Sequence, residues 1–228
     1  MFGIIGAMDV EIEEVRSMLE NPENTVLSGI LYTYGTIGGV ECVVAKCGVG
    51  KVFAAMCTQT MILNWDVDAV INVGIGGTLT KELSVGDIAV ASSVCQHDMD
   101  TSAVGDPVGM VSGVNMIYFE TDTELSAKLE AAAAEAGYKT GRGIIASGDQ
   151  FVADNDRKNE IASYFGAIAC DMEIAAIGQV AYVNGVPFAA IRSISDSADG
   201  SSSVDYFTFK ISAAKATSKV LSNFFGVN

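Results

Sequence analysis

The sequence is poor in the residues that bind metals or form disulfides. It has a single histidine, His97, and its five cysteines, at positions 42, 47, 57, 95 and 170, include no Cys-x-x-Cys pair. A structural zinc site needs about four ligands, and a disulfide framework needs an even set of cysteines. Cys95-Gln96-His97 is the only hint of a metal ligand pair, and no second cluster completes it. The sequence therefore predicts no metal site and no disulfide framework.

Basic residues and long apolar runs are scarce as well. Lys and Arg total 13 against 28 Asp and Glu, giving a net charge of -15. A negative field of this size repels nucleic acid and anionic lipid. No apolar run approaches the ~20 residues of a membrane span, and the chain starts with a strand-like segment, residues 2–6, in place of a basic leader. We therefore expect a cytoplasmic protein with no nucleic-acid or membrane partner.

Hydrophobic segments are abundant. Half of the 228 residues are hydrophobic, enough for one sizeable core, so we expect residues 1–228 to form a single domain. Short apolar runs of strand length alternate with segments of helical periodicity. This alternation is typical of α/β proteins built around a doubly wound sheet.

Residues 169–199 organise the rest of the chain, because they are predicted to form the end of a strand, a helix and another strand. Glu173 lies where the helix begins, and Asp196 follows the apolar run from Pro187 to Ile194. Such a unit usually makes a right-handed crossover between parallel strands. Both carboxylates are then expected at the sheet edge where open α/β sheets bind ligands.

Other turns are expected at the same edge. Glu11 lies in the first turn of a helix predicted from Asp9 to Asn21-Pro22, after a strand that begins at Gly3. A glycine-rich turn at residues 74–77 follows the strand that begins at Asp68, and Phe151 follows the strand that begins at Gly143. The pattern predicts a pocket with three carboxylates and an aromatic wall.

The remaining segments give simpler predictions. Gly48-Val49-Gly50-Lys51 lacks the glycine spacing and the Ser or Thr of a phosphate loop, so we interpret it as a tight turn before a helix. We expect a hairpin across Gly38-Gly39 and a long loop at residues 98–118. Helices are predicted at 121–136 and 205–225, the second with mostly core positions at Phe209, Ile211, Ala214, Leu221 and Phe225.

Each candidate residue also has an ordinary structural interpretation. A glutamate at a helix start commonly interacts with the helix dipole, Asp196 could form a turn, and Phe151 alone would be a core residue. Asp149, Gln150 and Arg192 are interpreted as structural, since an arginine in an apolar strand usually pairs with a buried carboxylate. Only the joint pattern favours a functional site.

Five separated motifs resemble one family. Residues 3–11 (GIIGAMDVE), 48–52 (GVGKV), 147–152 (SGDQFV), 171–176 (DMEIAA) and 192–199 (RSISDSAD) are similar to those of the bacterial 5'-methylthioadenosine/S-adenosylhomocysteine nucleosidases of the nucleoside phosphorylase superfamily. The resemblance implies a three-layer αβα sandwich around a mixed, mostly parallel twisted sheet, and an enzyme that needs no cofactor. It also implies a homodimer in which the loop at 98–113, here with Thr101, Val104 and Ser112, reaches the partner's pocket.

The resemblance further implies how the site residues divide the work on a small nucleoside. Asp196 would protonate adenine N7, Glu173 would hold the ribose hydroxyls, and Glu11 would deprotonate the attacking water. Phe151 would stack on the purine. The other expected substrate-binding residues are Val152 and Ser195 beside the base, and Met8, Val49, Met172 and Tyr206 around the sugar and alkylthio group. Ile75 departs from the pattern, because relatives commonly have a serine there.

Three alternatives stay open at this point. A phosphorylase would use phosphate in place of water, but the turn after the first strand carries three glutamates before Arg16, and these would repel phosphate. A futalosine-type nucleosidase would cleave a related purine nucleoside. A nucleoside-binding protein without catalysis could share the fold, because a fold does not fix an activity.

Overall fold

A computed structural model describes residues 1–198 and 202–227. Over these residues the chain forms ten strands and six helices. They are β1 (Phe2–Gly6), α1 (Asp9–Ser17), β2 (Glu20–Leu27), β3 (Ile30–Ile37), β4 (Val40–Lys46), α2 (Lys51–Trp65), β5 (Ala69–Thr78), β6 (Ile88–Gln96), β7 (Phe119–Glu120), α3 (Thr123–Glu135), β8 (Thr140–Ser147), α4 (Asn155–Phe165), β9 (Ala167–Asp171), α5 (Ile174–Asn184), β10 (Phe188–Asp196) and α6 (Ser202–Phe224). The predicted α/β class with a mixed sheet is confirmed.

All ten strands belong to one sheet. β1 pairs in parallel with β4 and β5, and β2, β3 and β4 continue the sheet as antiparallel neighbours. On the other side, β5 pairs with both β10 and β9, and the ladders β10–β6, β6–β8 and β8–β9 complete a closed ring. Such closure brings the ends of several strands close together, which creates room for a site at the rim.

Helices cover both faces of the sheet because adjacent strand residues point to opposite sides. On β1, Ile5 belongs to a core cluster that includes apolar residues of α2 and α5. Its neighbour Ile4 belongs to a second cluster, which includes apolar residues of α1, α3 and α6. Both isoleucines are fully buried. The sequence alternation thus produces the three layers.

The strands around α5 differ from the prediction. β9 and β10 do not pair with each other: β10 is parallel to β5 from Phe188 onward, whereas β9 runs antiparallel to the end of β5 at Gly77 and Thr78. The parallel crossover was therefore wrong. The glycine run 74–77 lies inside β5, not in a turn, and it lets one strand serve two partners. Both carboxylates still reach the same rim.

β2 and α4 were missed. Asn21-Pro22 was predicted to end the first helix, but α1 ends at Ser17 and these residues lie in β2. β2 is an edge strand that pairs only with β3, with a register shift between Glu20 and Glu23. Proline is tolerated in an edge strand where the register shifts, because no ladder hydrogen bond is lost there.

The last helix has less core surface than predicted. Ala214, Leu221 and Phe225 are buried, but Phe209 is 38% exposed and Ile211 is 55% exposed. Phe209 and Ile211 therefore contribute little to the core. The predicted Gly38-Gly39 hairpin is confirmed, with positive φ at both glycines.

Residues 97–118 form the predicted long connection. It contains one 3₁₀ turn, Ser102–Val104, and an isolated bridge between Val111 and Met116. Of the helices in the described ranges, none combines the length and the apolar character needed to cross a bilayer.

Candidate active site

A concave cavity opens at the sheet rim, lined by apolar side chains and a few polar ones, as is usual for small-molecule sites. It lies where β1, β5, β8, β9 and β10 end, with one wall from α6. All the expected catalytic and substrate-binding residues line it: Met8, Glu11, Val49, Ile75, Phe151, Val152, Met172, Glu173, Ser195, Asp196 and Tyr206. The three carboxylates thus face one space despite their separation in the sequence.

Glu11 is held by backbone amides. Its Oε2 accepts hydrogen bonds from the amides of Ala7 (2.8 Å) and Met8 (2.9 Å), and its Oε1 accepts one from Ile75 (3.0 Å). Burial raises the pKa of Glu11, although the nearby Arg192 guanidinium and these three amides oppose the shift. The carboxyl is therefore fixed in place and has a higher proton affinity than an exposed glutamate, as suits a general base.

Glu173 occupies the N-cap position of α5, and its side chain lines the cavity. Its Oε1 accepts a hydrogen bond from the Gly50 amide at 2.8 Å. Burial and the neighbouring Asp171 carboxylate raise the pKa of Glu173 to about 8, against the opposing effects of Arg192 and the Gly50 amide. A positive charge that develops in the cavity would favour the ionised form of this carboxyl.

Asp196 ends β10, just after a register shift in the β10–β5 ladder. Its Oδ2 accepts a hydrogen bond from the Ser195 hydroxyl at 2.8 Å, and its Oδ1 accepts one from the Ala198 amide at 2.9 Å. The residue is 3% exposed. The Asp196 carboxyl is therefore oriented by its own turn at the wall of the cavity.

A buried ion pair lies beneath the carboxylates. The Arg192 guanidinium donates to the carboxylate of Asp171 and to the side-chain oxygen of Asn72, and all three side chains are buried. The interpretation of Arg192 as the partner of a buried carboxylate agrees with this geometry. Its charge also lowers the pKa values of Glu11 and Glu173 against burial, so Arg192 contributes to the electrostatics of the site.

The rest of the wall is apolar. The rings of Phe151 and Tyr206 meet edge to face with centroids 5.5 Å apart, and the Tyr206 hydroxyl lies 3.2 Å from the Met8 sulfur. Phe151 is 49% exposed, which is unusual for a core aromatic and leaves its ring accessible to a flat ligand. Three acids beside an accessible aromatic surface suit a sugar joined to a heterocyclic base.

A family model of the phosphorylase superfamily matches residues 1–225. The chain belongs to the phosphorylase superfamily. It is 36% identical over 212 residues to the 5'-methylthioadenosine/S-adenosylhomocysteine nucleosidase of Shewanella sediminis, with 92% of both chains covered. The resemblance inferred from the five motifs is thereby confirmed.

Solved structures of related enzymes are closely similar to this chain over nearly its whole length. The nucleosidase of the same name from Neisseria meningitidis, in complex with methylthio-immucillin-A, superposes with a TM-score of 0.94 at 35% identity, covering 98% of this chain and 97% of that one. The futalosine hydrolase of Helicobacter pylori superposes with a TM-score of 0.93 at 35% identity, covering 98% and 96%.

Ile75 is the departure noted within the superfamily pattern. Its backbone amide holds Glu11, while its side chain packs against Ala213 and Ala214 of α6, with Tyr206 nearby. The contact with Glu11 therefore does not depend on the side chain at this position. The isoleucine replaces a possible hydroxyl by apolar contact with the last helix.

The sequence analysis missed several residues that line the cavity or hold its carboxylates. Asp171 and Cys170 line the cavity, and so does Gln150, which had been interpreted as structural. Their position directly after a predicted strand was the available signal. The amide of Gly50 carries no side-chain signal, and its role depends on the positive φ of 100° that directs it toward Glu173. His97, the hint of a metal ligand, instead bonds through Nδ1 with Arg157.

Proposed function

We propose that the chain hydrolyses the N-glycosidic bond of 5'-methylthioadenosine and S-adenosylhomocysteine, releasing adenine and the thioribose. The observation that carries this proposal is the presence of Glu11, Glu173 and Asp196 on one cavity beside Phe151. The relatives from Shewanella sediminis and Neisseria meningitidis carry this activity in their names. We infer that the product sugar enters methionine salvage and that adenine enters nucleoside catabolism.

The carboxyl groups divide the work according to their surroundings. Cleavage passes through a sugar with oxocarbenium character, so the leaving base gains electrons as the sugar becomes positive. Asp196, oriented by Ser195, donates a proton to adenine N7 and makes the base a better leaving group. Glu173 accepts hydrogen bonds from the ribose hydroxyls and stabilises the positive sugar. Glu11 takes a proton from the attacking water.

Water is a better nucleophile than phosphate for this cavity. No lysine or arginine occurs among the described residues that line it, and Arg192 is engaged by Asp171 beneath the surface. A phosphate dianion would face three carboxylates without a cation to pair with. This charge distribution favours hydrolysis over phosphorolysis.

The substrate class is tested by following free base from a panel of nucleosides. We expect adenine release from methylthioadenosine and adenosylhomocysteine, and slower release from adenosine, which lacks the alkylthio group that Met8, Val49 and Met172 would contact. Release from 6-amino-6-deoxyfutalosine in preference to both thioethers would support a futalosine-type nucleosidase, a candidate favoured by the similarity to the H. pylori futalosine hydrolase. No release from any of them would support a binding protein.

We also propose a homodimer, with Thr101, Val104 and Ser112 directed to the partner's pocket. Val52 and Leu63 of α2 are 77% and 72% exposed, and Val104 is 82% exposed. Val52 and Leu63 are 11 residues apart in the sequence, so they lie on the same face of the helix. Leu63→Glu is expected to shift the species observed by analytical ultracentrifugation from dimer to monomer. A wild-type protein that sediments as a monomer would contradict the proposal.

We place the reaction in the cytoplasm. The five cysteines are free and buried, which fits a reducing compartment, and the net charge of -15 does not favour attachment to anionic membranes.

A further inference from the structure

Three turns from distant parts of the sequence meet beside the cavity. They are residues 48–51 before α2, residues 96–98 at the end of β6, and residues 148–152 after β8. The second of these turns contributes nothing to the cavity wall. Its hydrogen bonds nevertheless connect it to the other two.

The connection is a closed ring of three hydrogen bonds. The Lys51 amide donates to Asp149 Oδ1 at 2.8 Å, and the Asp149 amide donates to Asp98 Oδ2 at 2.8 Å. The Lys51 ammonium completes the ring by donating to Asp98 Oδ1 at 2.6 Å. The side chains of Lys51 and Asp98 are only 18% and 15% exposed. Because both are largely removed from solvent, water competes weakly for these bonds.

Each end of the ring lies within two residues of a residue of the site. Gly50, whose amide donates to Glu173, precedes Lys51 in the chain. Phe151 follows Asp149 by two residues. Gly50 also allows the close approach, because a Cβ at this position would lie 3.0 Å from Asp149 Oδ1. The ring therefore joins the carboxyl on the sugar side of the cavity to the aromatic ring on the base side.

The Lys51 ammonium forms an ion pair with Asp98, one of the two carboxylates in the ring. The Asp98 carboxylate receives an ammonium and an amide, and burial, which would raise its pKa, is outweighed by these donors so that the pKa is lowered. The Lys51 ammonium also donates to Gln96 at 3.0 Å. Lys51, the lysine that makes residues 48–51 resemble a phosphate loop, is thus already hydrogen-bonded to protein side chains.

We propose that Lys51, Asp98 and Asp149 are positioning residues, whose ring of hydrogen bonds fixes Glu173 relative to Phe151 and so sets the geometry in which the nucleoside is held between them. The proposal rests on the proposed function, because it assigns the sugar to Glu173 and the base to Phe151. None of the three residues touches the reacting atoms.

Two single variants and their combination test the ring. Asp98→Asn places an amide where a carboxylate oxygen accepted, and Lys51→Met removes the ammonium while keeping an apolar stem. We expect each to lower kcat/KM by about 10- to 100-fold, the scale of a small misplacement of binding groups. KM should rise for the substrate, and Lys51→Arg should recover most of the loss. The double variant should be no worse than the more damaging single variant, since both disrupt the same ring.

The matched controls are Lys128→Met and Glu124→Gln, which break an ion pair of similar length, 2.8 Å, on the exposed face of α3. They should leave kcat and KM at wild-type values. Folded Asp98→Asn or Lys51→Met protein with unchanged constants would overturn the proposal, as would effects of the two substitutions that multiply in the double variant.

Amide hydrogen exchange tests the ring independently of turnover. We expect faster exchange at Gly50, Lys51 and Asp149 in both variants, with unchanged exchange in α3. Unchanged protection at those three amides would overturn the ring even if activity fell. If the wild-type protein releases no base from any nucleoside, the proposed function fails, whereas the exchange result still decides whether the ring holds the two turns together.

Discussion

Burial distinguishes three acidic residues, Glu11, Glu173 and Asp196, from the many other acids of a protein with a net charge of -15. Most of its carboxylates are solvated, but these three are at most 7% exposed. A buried carboxylate is costly unless donors surround it. Backbone amides serve that purpose here, which is how one chain can keep three acids on one cavity. The chemical consequences can be tested residue by residue.

Replacing Glu11 should abolish most of the activity. Glu11→Gln keeps the size of the side chain but removes the base, so we expect kcat to fall by about 10²- to 10⁴-fold. Glu13→Gln is the matched control, because Glu13 lies two residues further along α1 and is exposed. Steady-state release of adenine measures both. Equal activity in the two variants would contradict the role of Glu11.

Replacing Asp196 should slow cleavage most when the leaving base must be protonated in order to depart. Asp196→Asn is expected to lower turnover of methylthioadenosine by about 10²- to 10⁴-fold. With a riboside whose leaving group is 4-nitrophenolate, which departs without protonation, the variant should lose much less of its turnover. An equal loss with both substrates would indicate that Asp196 positions the sugar and does not supply the proton.

The raised pKa of Glu173 predicts a pH dependence of stability. The folded protein holds this proton more tightly than the unfolded chain, so the contribution is fully present below the ordinary value of 4.5 and is lost as the pH rises through about 8. Glu173→Gln removes the titration. Its free energy of unfolding relative to wild type should therefore increase between about pH 5 and pH 8, by about 3 to 4 kcal/mol. Denaturant titrations at both pH values check this, and a constant difference would contradict it.

At the scale of elements, close packing overrides local preference in α5. Gly178 lies inside this helix, where alanine would be favoured by about 1 kcal/mol. A Cβ at that position would lie 2.6 Å from the Phe188 ring and 2.8 Å from a Val94 methyl group. The glycine lets α5 approach the sheet, and this approach brings Glu173 to the cavity at the start of the helix.

Gly178→Ala should therefore destabilise the protein, by about 1 to 3 kcal/mol. Ala131→Gly in the exposed part of α3 is the comparison, and it should cost about 1 kcal/mol through helix propensity alone. Thermal or denaturant unfolding measures both changes. A gain in stability for Gly178→Ala would show that α5 is not pressed against β10 and β6.

The elements that were predicted correctly are those whose signal is local. The Gly38-Gly39 hairpin and the strand before Asp196 follow from turn residues and apolar runs. β2 was missed because its residues are mostly exposed and include a proline, and only pairing with β3 makes it a strand. The positions of the three acids after strands were predictable, whereas the Gly50 amide and the Lys51–Asp98–Asp149 ring depend on tertiary contacts between turns.

At the scale of the whole molecule, the sheet closes on itself through the strands β5, β10, β6, β8 and β9. This closure explains why distant residues share a site. A simple parallel crossover would also have brought Glu173 and Asp196 to one edge, but closure adds β8 and its Phe151 to the same rim. The result is an acidic and aromatic cavity in a strongly acidic protein. Such a cavity suits a neutral nucleoside and a neutral nucleophile.

The most direct measurement of this claim is the dependence of adenine release on phosphate. Methylthioadenosine is incubated with the purified protein in phosphate-free buffer and again with added phosphate, and the sugar product is identified by mass spectrometry. We predict equal rates and a free thioribose in both cases. A strict requirement for phosphate, or a sugar 1-phosphate as the product, would contradict the account.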